Sequence, residues 1–369
     1  MTIGIVGGGQ LGRMLALAGY PLGLDFLFLD RSADTPAAQV APSLVGALDD
    51  PALLRRLAQR SDVLSFDWEN VSVPALRRAT RGMAARIAPP LRALAVAQDR
   101  LREKRLFEQL GIRTTRYLAV DSQRGLQRAV RQIGLPGVLK TRRLGYDGKG
   151  QKLLRTAADL ENAWRQLGEV PLIYEEWVPL DCEVSAIGVR DRHGATAFYP
   201  LSANAHADGI LRLTRAPWND AKLARSARRA LRSVLQQLNY VGVLTMEFFV
   251  AEGRLIANEM APRVHNSGHW TIEGAVTSQF ENHVRAVAGL PLGDTSATAH
   301  AGMINLLGAV PPAASLLDIP GLHLHDYGKQ PRPDRKVGHV TILRATAAER
   351  NRVLGQIFRR VYPHTGGIL

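Results

Sequence analysis

Two glutamates in apolar surroundings carry the first chemical signal in this sequence. Glu247 lies in VLTMEFFV and Glu259 in LIANEMAP, and both segments alternate as strands joined by a turn at Glu252-Gly253. Acids in such strands are not buried uncompensated. Facing each other across a hairpin, they would hold a divalent ion against phosphate oxygens, the donor set that magnesium prefers. Asn258 offers another oxygen, but strand parity points it to the opposite face and makes it second choice. The block Pro262-Arg263-Val264-His265-Asn266-Ser267-Gly268-His269-Trp270 follows at once. A cation, two imidazoles, an amide and a hydroxyl in a non-periodic stretch suit an anion-binding loop beside a metal.

A second constellation precedes it. Gly145-Tyr146-Asp147-Gly148-Lys149-Gly150-Gln151 is a glycine loop whose amides can approach triphosphate oxygens, with Lys149 adding charge. It lacks the Walker A pattern. Lys140 ends the strand before it, and Arg100 is another candidate phosphate contact. The strand LIYEEWV carries Glu175 and Glu176 and would supply backbone groups to a nucleotide base. One of these acids, or Glu183, would accept from the ribose hydroxyls. Arg335-Lys336-Val337-Gly338-His339 is a further basic loop, able to cover an anion from another side.

Gly7-x-Gly9-x-x-Gly12, with Asp30 at the end of the next strand, fits a dinucleotide fingerprint. The motif leaves three readings open: an NAD-linked oxidoreductase, a phosphate monoester site to which Gln10 and Arg13 add donors, or a plain strand-to-helix turn.

These residues need elements to position them. Strands are expected at 3–7, 24–29 and 63–66 around a helix at 13–18, giving a parallel sheet that ends at 87–94. An amphipathic helix at 99–110 and short strands around 138–140 and 172–178 make a small α+β lobe. Longer antiparallel strands are expected at 183–190, 195–201, 241–250 and 254–262, with a helix at 221–238. Residues 300–345 read as short strands and turns. The units are 1–98, 99–181 and 182–369.

Composition is that of a globular chain, with 369 residues, 46% hydrophobic and 22% charged. The start MTIGIVGGGQ lacks the pattern of a signal peptide, and no apolar run approaches about 20 residues. A soluble, cytoplasmic protein is expected, with no membrane partner. The net charge of +14 is mostly arginine scattered along helices, as in RSARRALRSVL at 225–235. It suits anionic small substrates better than nucleic acid. Cys182 is the one cysteine, and no histidine lies beside it in sequence, so a small buried residue is favoured over a nucleophile.

Taken in order, GGGQLGRML (7–15), GYDGKGQ (145–151), YPLSANAHADGILR (199–212), NYVGVLTMEFFV (239–250), NEMAPRVHNSGHWTIEGAVTSQFENHVRA (258–286), MINLLG (303–308) and RKVGHVTIL (335–343) resemble the ATP-grasp superfamily. More narrowly they are similar to its N5-carboxyaminoimidazole ribonucleotide synthetase family. The resemblance implies an ATP-grasp fold behind a Rossmann-like N-terminal domain, with ATP, bicarbonate and 5-aminoimidazole ribonucleotide as substrates. It implies a homodimer, Mg²⁺ as cofactor, and Mn²⁺ as an alternative ion. Glu247 and Glu259 would bind the metal. Arg100, Lys140, Gly145, Tyr146, Asp147, Gly148, Lys149, Gly150, Gln151, Glu175, Glu176, Trp177, Val178, Glu183, His206, Asn258 and Glu259 match the ATP site. Arg263, His265, Asn266, Ser267 and Lys336 match the bicarbonate pocket. Gly8, Gly9, Gln10, Tyr146, Asp147 and Arg335 match the ribonucleotide side, with Asp147 toward the reacting amine. Glu259-Met260-Ala261 departs from the Glu-x-Asn of many superfamily members, which speaks against a biotin-carboxylase-like enzyme. The alternatives are another ATP-grasp ribonucleotide ligase or transformylase, and the NAD-linked oxidoreductase.

Overall fold

The computed structural model describes residues 1–83, 86–145 and 148–363. Within them the chain builds three sheets. The first is parallel, in the order Ser43–Val45, Asp25–Asp30, Thr2–Val6, Val63–Phe66, Arg86–Ile87. Its strands are near-continuous apolar runs because both faces are covered. Ile3, Ile5 and Phe28 pack into one cluster, while Val6, Leu29 and Phe66 pack into another. The order reverses between Thr2–Val6 and Val63–Phe66. The crevice at such a switch point, beyond the strands' carboxyl ends, is where this architecture places ligands.

The second sheet is four-stranded and antiparallel, in the order Tyr117–Val120, Leu172–Glu176, Gly137–Thr141, Gln151–Leu154. It has a hydrophobic cluster of its own with helices Gln123–Ile133 and Leu160–Gln166, including Leu126, Ala129, Leu139, Leu172 and Tyr174.

The third sheet has nine strands. It runs Arg254–Ala261, Gly242–Ala251, Cys182–Arg190, Ser202–Ala207, Ile210–Ala216, His300–Gly308, Arg332–Arg344, Leu322–Asp326, with Thr196–Phe198 paired to Cys182–Arg190. Helix Ala221–Gln237 buries Leu223, Ala227, Leu231, Val234 and Leu235, a single stripe at helical spacing. Helix Gln279–Ala288 contributes Phe280, Val284 and Val287 to the cluster that holds Ile3 and Leu11, so the first unit and the large lobe share a core.

The structure is an ATP-grasp fold preceded by a parallel α/β unit. Several expected elements differ in detail. The segment expected as a strand at 195–201 pairs only over Thr196–Phe198. The region 300–345 holds long strands rather than short ones, including Arg332–Arg344, and is followed by helix Ala347–Val361. Helices Pro51–Gln59 and Val73–Ala79 carry a proline at the first and second position, behind Asp50 and Ser72 caps, a signal present in the sequence.

Candidate active site

The Gly7–Gly12 turn lies at the switch point, and the amides of all four of its glycines are already engaged. Asp67, just past strand Val63–Phe66, accepts from the backbone N–H of Gly9 at 2.7 Å and of Gly12 at 3.2 Å. Asp30 accepts from the N–H of Gly8 at 2.6 Å. Gly7 has φ +103, and a Cβ there would stand 1.8 Å from Asp67 Oδ1. The donors that a dinucleotide pyrophosphate would need are thus held by internal carboxylates, and Asp30 closes the loop instead of reading a ribose. This removes the nicotinamide reading. Burial pushes the Asp67 carboxyl up to about 6, against the amide bonds that favour its charge. A raised folded-state value means stability is greatest below the unfolded value and falls as pH rises toward 6. Asp67→Asn keeps an acceptor for Gly9 and removes the titration. The unfolding free energy of the parent relative to this variant should therefore drop by about 2 kcal/mol between pH 4 and pH 7. Denaturant titrations across that range check it; parallel curves would show that Asp67 does not titrate there.

Two compartments meet in the cleft between the lobes. The larger, about 980 Å³, is lined by the Gly7–Gln10 turn, Asp67, Glu69, Arg263, Lys329 and Arg335. The smaller, about 280 Å³, is lined by Val138, Lys140, Glu175–Val178, Glu183, His206 and Asn258. Arg100, Lys149, Glu259, His265, Asn266 and Lys336 border both. The wall between the compartments is therefore made of the candidate metal, bicarbonate and phosphate residues.

Glu247 and Glu259 sit directly across from each other on neighbouring strands. A bulge follows: Phe248 pairs with Ala257, leaving Asn258 as the extra residue. Strand parity alone makes Asn258 face away from Glu259. The bulge breaks that parity, and both line the smaller compartment, with Asn258 Oδ1 buried and partnerless. Arg100 Nη1 donates to Glu259 Oε2 at 2.7 Å. Burial works against ionisation of Glu259, but Arg100, then Lys140, outweigh it and hold the carboxyl below the usual range. Burial and the charge of Glu259 push Glu247 up to about 8. A facing acid pair in which one member resists ionisation is the donor set a cation relieves. Among the described residues no cluster of three or more His, Cys, Asp or Glu could hold a metal ion. The pair fits an ion that takes its remaining ligands from a bound polyphosphate.

His265 is gripped by Gln279, whose Oε1 accepts from its N–H at 3.0 Å while Nε2 donates to its carbonyl at 2.6 Å. The Ser267 N–H donates to His265 Nδ1 at 3.3 Å, so the ring proton sits on Nε2, 3.7 Å from Glu247. Burial, with Arg263 and Lys336 nearby, pulls His265 down to about 3, leaving the imidazole neutral. Asn266 is buried with neither amide atom bonded, and it borders both compartments. Arg263 Nε donates to Glu69. His269, the other imidazole of the block, is buried away from the cleft. It shares the Tyr327 hydroxyl with His339, at 3.2 and 2.7 Å, which ties the 265–269 segment to the strand carrying Lys336.

Around the smaller compartment, Glu183 pairs with His206 Nδ1 at 3.0 Å. Burial opposes a charge on His206, but this carboxylate outweighs it and raises the imidazole above its ordinary value. The Glu176 carboxylate pairs with Arg116 at 3.1 Å. In the 145–151 loop a Cβ on Gly148, φ +75, would meet Asp208 O at 2.8 Å, so the loop rests on a turn of the large lobe. Tyr146 and Asp147, expected toward the nucleotide and the reacting amine, lie outside the described residues. Burial pushes Cys182 up to about 11, so its thiol stays protonated at neutral pH.

Sequence reading missed three residues of this site and one, Lys104, buried behind it. Asp67 and Gln279 work through backbone partners far along the chain. Lys329 donates to Gln10 Oε1 at 2.5 Å and to Lys336 O at 3.2 Å, joining two basic segments. Lys104 hides in an amphipathic helix. Only the DYGK turn beside the Arg335 loop offered a hint, as another cation near a glycine.

Comparison with known proteins agrees with this geometry. Residues 1–98 match the ribonucleotide synthetase preATP-grasp domain, residues 105–280 the ATP-grasp domain, and residues 301–352 the phosphoribosylaminoimidazole carboxylase C-terminal domain. The chain is 51% identical over 342 residues to an N5-carboxyaminoimidazole ribonucleotide synthase from Pseudomonas aeruginosa, covering 93% of this chain and 94% of the relative. A crystal structure of the Thermus thermophilus synthetase aligns with TM-score 0.93 and 48% identity over 99% of both chains. The Aspergillus clavatus synthase in complex with ADP and 5-aminoimidazole ribonucleotide aligns with TM-score 0.91 and 27% identity over 98% of both.

Proposed function

The chain belongs to the N5-carboxyaminoimidazole ribonucleotide synthase family of ATP-grasp ligases, and from that premise we propose how its cleft carboxylates 5-aminoimidazole ribonucleotide with bicarbonate and ATP, giving N5-carboxyaminoimidazole ribonucleotide, ADP and phosphate. One observation carries the reading: the wall bordered by both compartments holds Arg100, Glu259, His265, Asn266 and Lys336 together. A nucleotide on one side and a ribonucleotide on the other would share that wall.

ATP occupies the smaller compartment. Arg100, Lys140 and the Gly145–Gln151 loop take its phosphates, the Glu175–Val178 strand faces its base, and Glu183 with His206 faces its ribose. Glu247 and Glu259 hold Mg²⁺, or Mn²⁺ in its place, which when bound supplies neutralising charge beside the phosphates. Arg263, Asn266 and Lys336 orient bicarbonate for attack on the γ-phosphorus, where fixed donors and cations stabilise the transferring charge. The partnerless Asn266 amide gains both a donor and an acceptor role when that anion arrives. His265, neutral and pinned by Gln279, keeps an N–H rather than a second cation in the wall. The resulting carboxyphosphate releases CO₂ in the closed cleft, and the exocyclic amine of the ribonucleotide captures it. Gln10, Lys329 and Arg335 place that ribonucleotide through side chains, since the amides of Gly8, Gly9 and Gly12 are engaged. The Asp147 assignment, toward the reacting amine, rests on sequence position alone. A homodimer in the cytoplasm is part of this proposal. Among the described residues no helix is long and apolar enough to cross a membrane.

The test is ADP release with Mg-ATP, bicarbonate and 5-aminoimidazole ribonucleotide, omitting each in turn. Full turnover should need all three, and the carbamate should match ADP one for one. Equal ADP release with formate in place of bicarbonate would move the chain to a transformylase.

A further inference from the structure

The least expected group near the cleft is a lysine that does not line it. Lys104, on helix Arg100–Gln109, is wholly buried. Its ammonium lies 3.1 Å from Glu175 Oε2, 3.2 Å from Thr115 Oγ1 and 3.3 Å from the carbonyl of Ala257. Burying a charge at that depth is costly unless the partner is fixed and fully bonded.

Glu175 is the partner, and its two oxygens are treated unequally. Oε2 receives Lys104, Lys140 at 3.3 Å and the Thr115 hydroxyl at 2.9 Å. Oε1 is buried and has no partner, while the residue lines the smaller compartment beside Val138 and Trp177. An ionised carboxylate only accepts. Its free oxygen therefore awaits a donor carried by whatever binds there. ATP carries N–H donors only on the exocyclic amine of its purine. Inosine and guanosine nucleotides carry a carbonyl at that position, which would meet the carboxylate lone pairs head-on.

We propose that Lys104 is a positioning and specificity-determining residue: it pins Glu175 through Oε2 so that Oε1 alone faces the base and selects a 6-amino over a 6-oxo purine. The inference rests on the ATP-ligase reading and adds a residue outside the cleft to it. Burial opposes ionisation of Glu175, but Lys104 and then Lys140 outweigh it and hold the carboxyl far below the usual range. Lys104 also bonds the strand that carries Asn258 and Glu259, through Ala257, so it sits where the lid strand, the helix of Arg100 and the metal hairpin meet.

The experiment compares kcat/KM for ATP and ITP in full-chain variants, with bicarbonate and 5-aminoimidazole ribonucleotide saturating. The unmodified protein must first show ADP release dependent on both; without that, the ligase reading itself fails and the specificity question is not reached. Glu175→Gln tests the pinning directly. With three donors still facing the former Oε2, the introduced amide must turn its oxygen to them and its NH₂ to the base. The ATP-over-ITP preference should fall by about 100-fold and approach inversion. Lys104→Met should lower the same preference about tenfold and raise the KM for ATP, with kcat and the KM for bicarbonate nearly unchanged. Where Lys104→Met alone does not fold, Lys104→Met with Glu175→Gln removes the unpaired charge. That pair leaves Lys140 and the Thr115 hydroxyl facing the amide oxygen, and its ATP-over-ITP preference should still fall well below that of the unmodified protein. An unchanged ATP-to-ITP ratio in Glu175→Gln, or in folded Lys104→Met, would overturn the assignment and leave Lys104 as a purely structural ion-pair partner.

Discussion

Glu259→Gln is expected to lower ADP formation by about three orders of magnitude or more while leaving the fold intact. On the proposed reading the two effects separate, because Glu259 would serve chemistry against stability. In the free protein it faces Glu247 directly, and the charge of one keeps the other from ionising. An isosteric amide can still accept from Arg100, which now bonds Glu259 at 2.7 Å. It also removes the like-charge repulsion, so Glu247 should fall from about 8 toward its ordinary range. The melting temperature should stay or rise, the usual signature of an active-site acid kept for function. What is lost, on that reading, is one of two carboxylates that would hold a divalent ion against the phosphates, and half of their charge. Single-turnover ADP formation measured over a Mg²⁺ titration reads both losses. Near-normal turnover at saturating Mg²⁺ would remove Glu259 from the metal site and leave it as an anchor for Arg100.

Why Glu247 and Glu259 were visible in the sequence, and Asp67 and Lys104 were not, follows from how each is held. The acids stand in alternating apolar strands joined by a short turn, so local pattern alone brings them together. The same pattern misplaces Asn258, because a bulge is one extra residue and leaves no periodic trace. The glycine turn is legible as a turn, yet its use depends on Asp67, 55 positions away from Gly12, whose carboxylate occupies the helix N-terminus. Fingerprint spacing cannot report that the donors are already taken. Lys104 falls on an amphipathic helix in which a lysine ordinarily marks the wet face. Only the third dimension shows that the lid strand with Glu175 covers it. The parallel sheet and the hairpins of the large lobe were readable from apolar runs and alternation. Helix Gln123–Ile133 was legible too, from its Ser122 cap, its apolar stripe and Gly134 at its end, whereas Leu160–Gln166 spans only two turns and buries Ala163 alone, too little for a periodic signal.

Arg263→Ala should cut bicarbonate-dependent turnover by about 100- to 1,000-fold while changing ATP affinity no more than about threefold. The asymmetry follows from position. Arg263 lines the larger compartment and is absent from the lining of the smaller one, where Lys140 and Glu175 stand. Its removal has a second consequence, because Glu69 would lose the guanidinium that bonds it. Burial now works against the charge of Glu69, and Arg263 outweighs it, holding the carboxyl below the usual range. Without the arginine the burial effect stands alone and the carboxyl rises. Paired Glu69 stabilises the fold above its unfolded value, a contribution lost as pH falls through the lowered one. In Arg263→Ala the sign reverses, and stability should decline as pH rises through the carboxylate range. Adding Glu69→Ala should restore the neutral-pH melting temperature, since no unpaired buried acid remains, yet it should restore no turnover. Recovery of turnover in that double variant would show that Arg263 acts only by neutralising Glu69. Persistent loss with recovered stability assigns the guanidinium to the anion in the cleft.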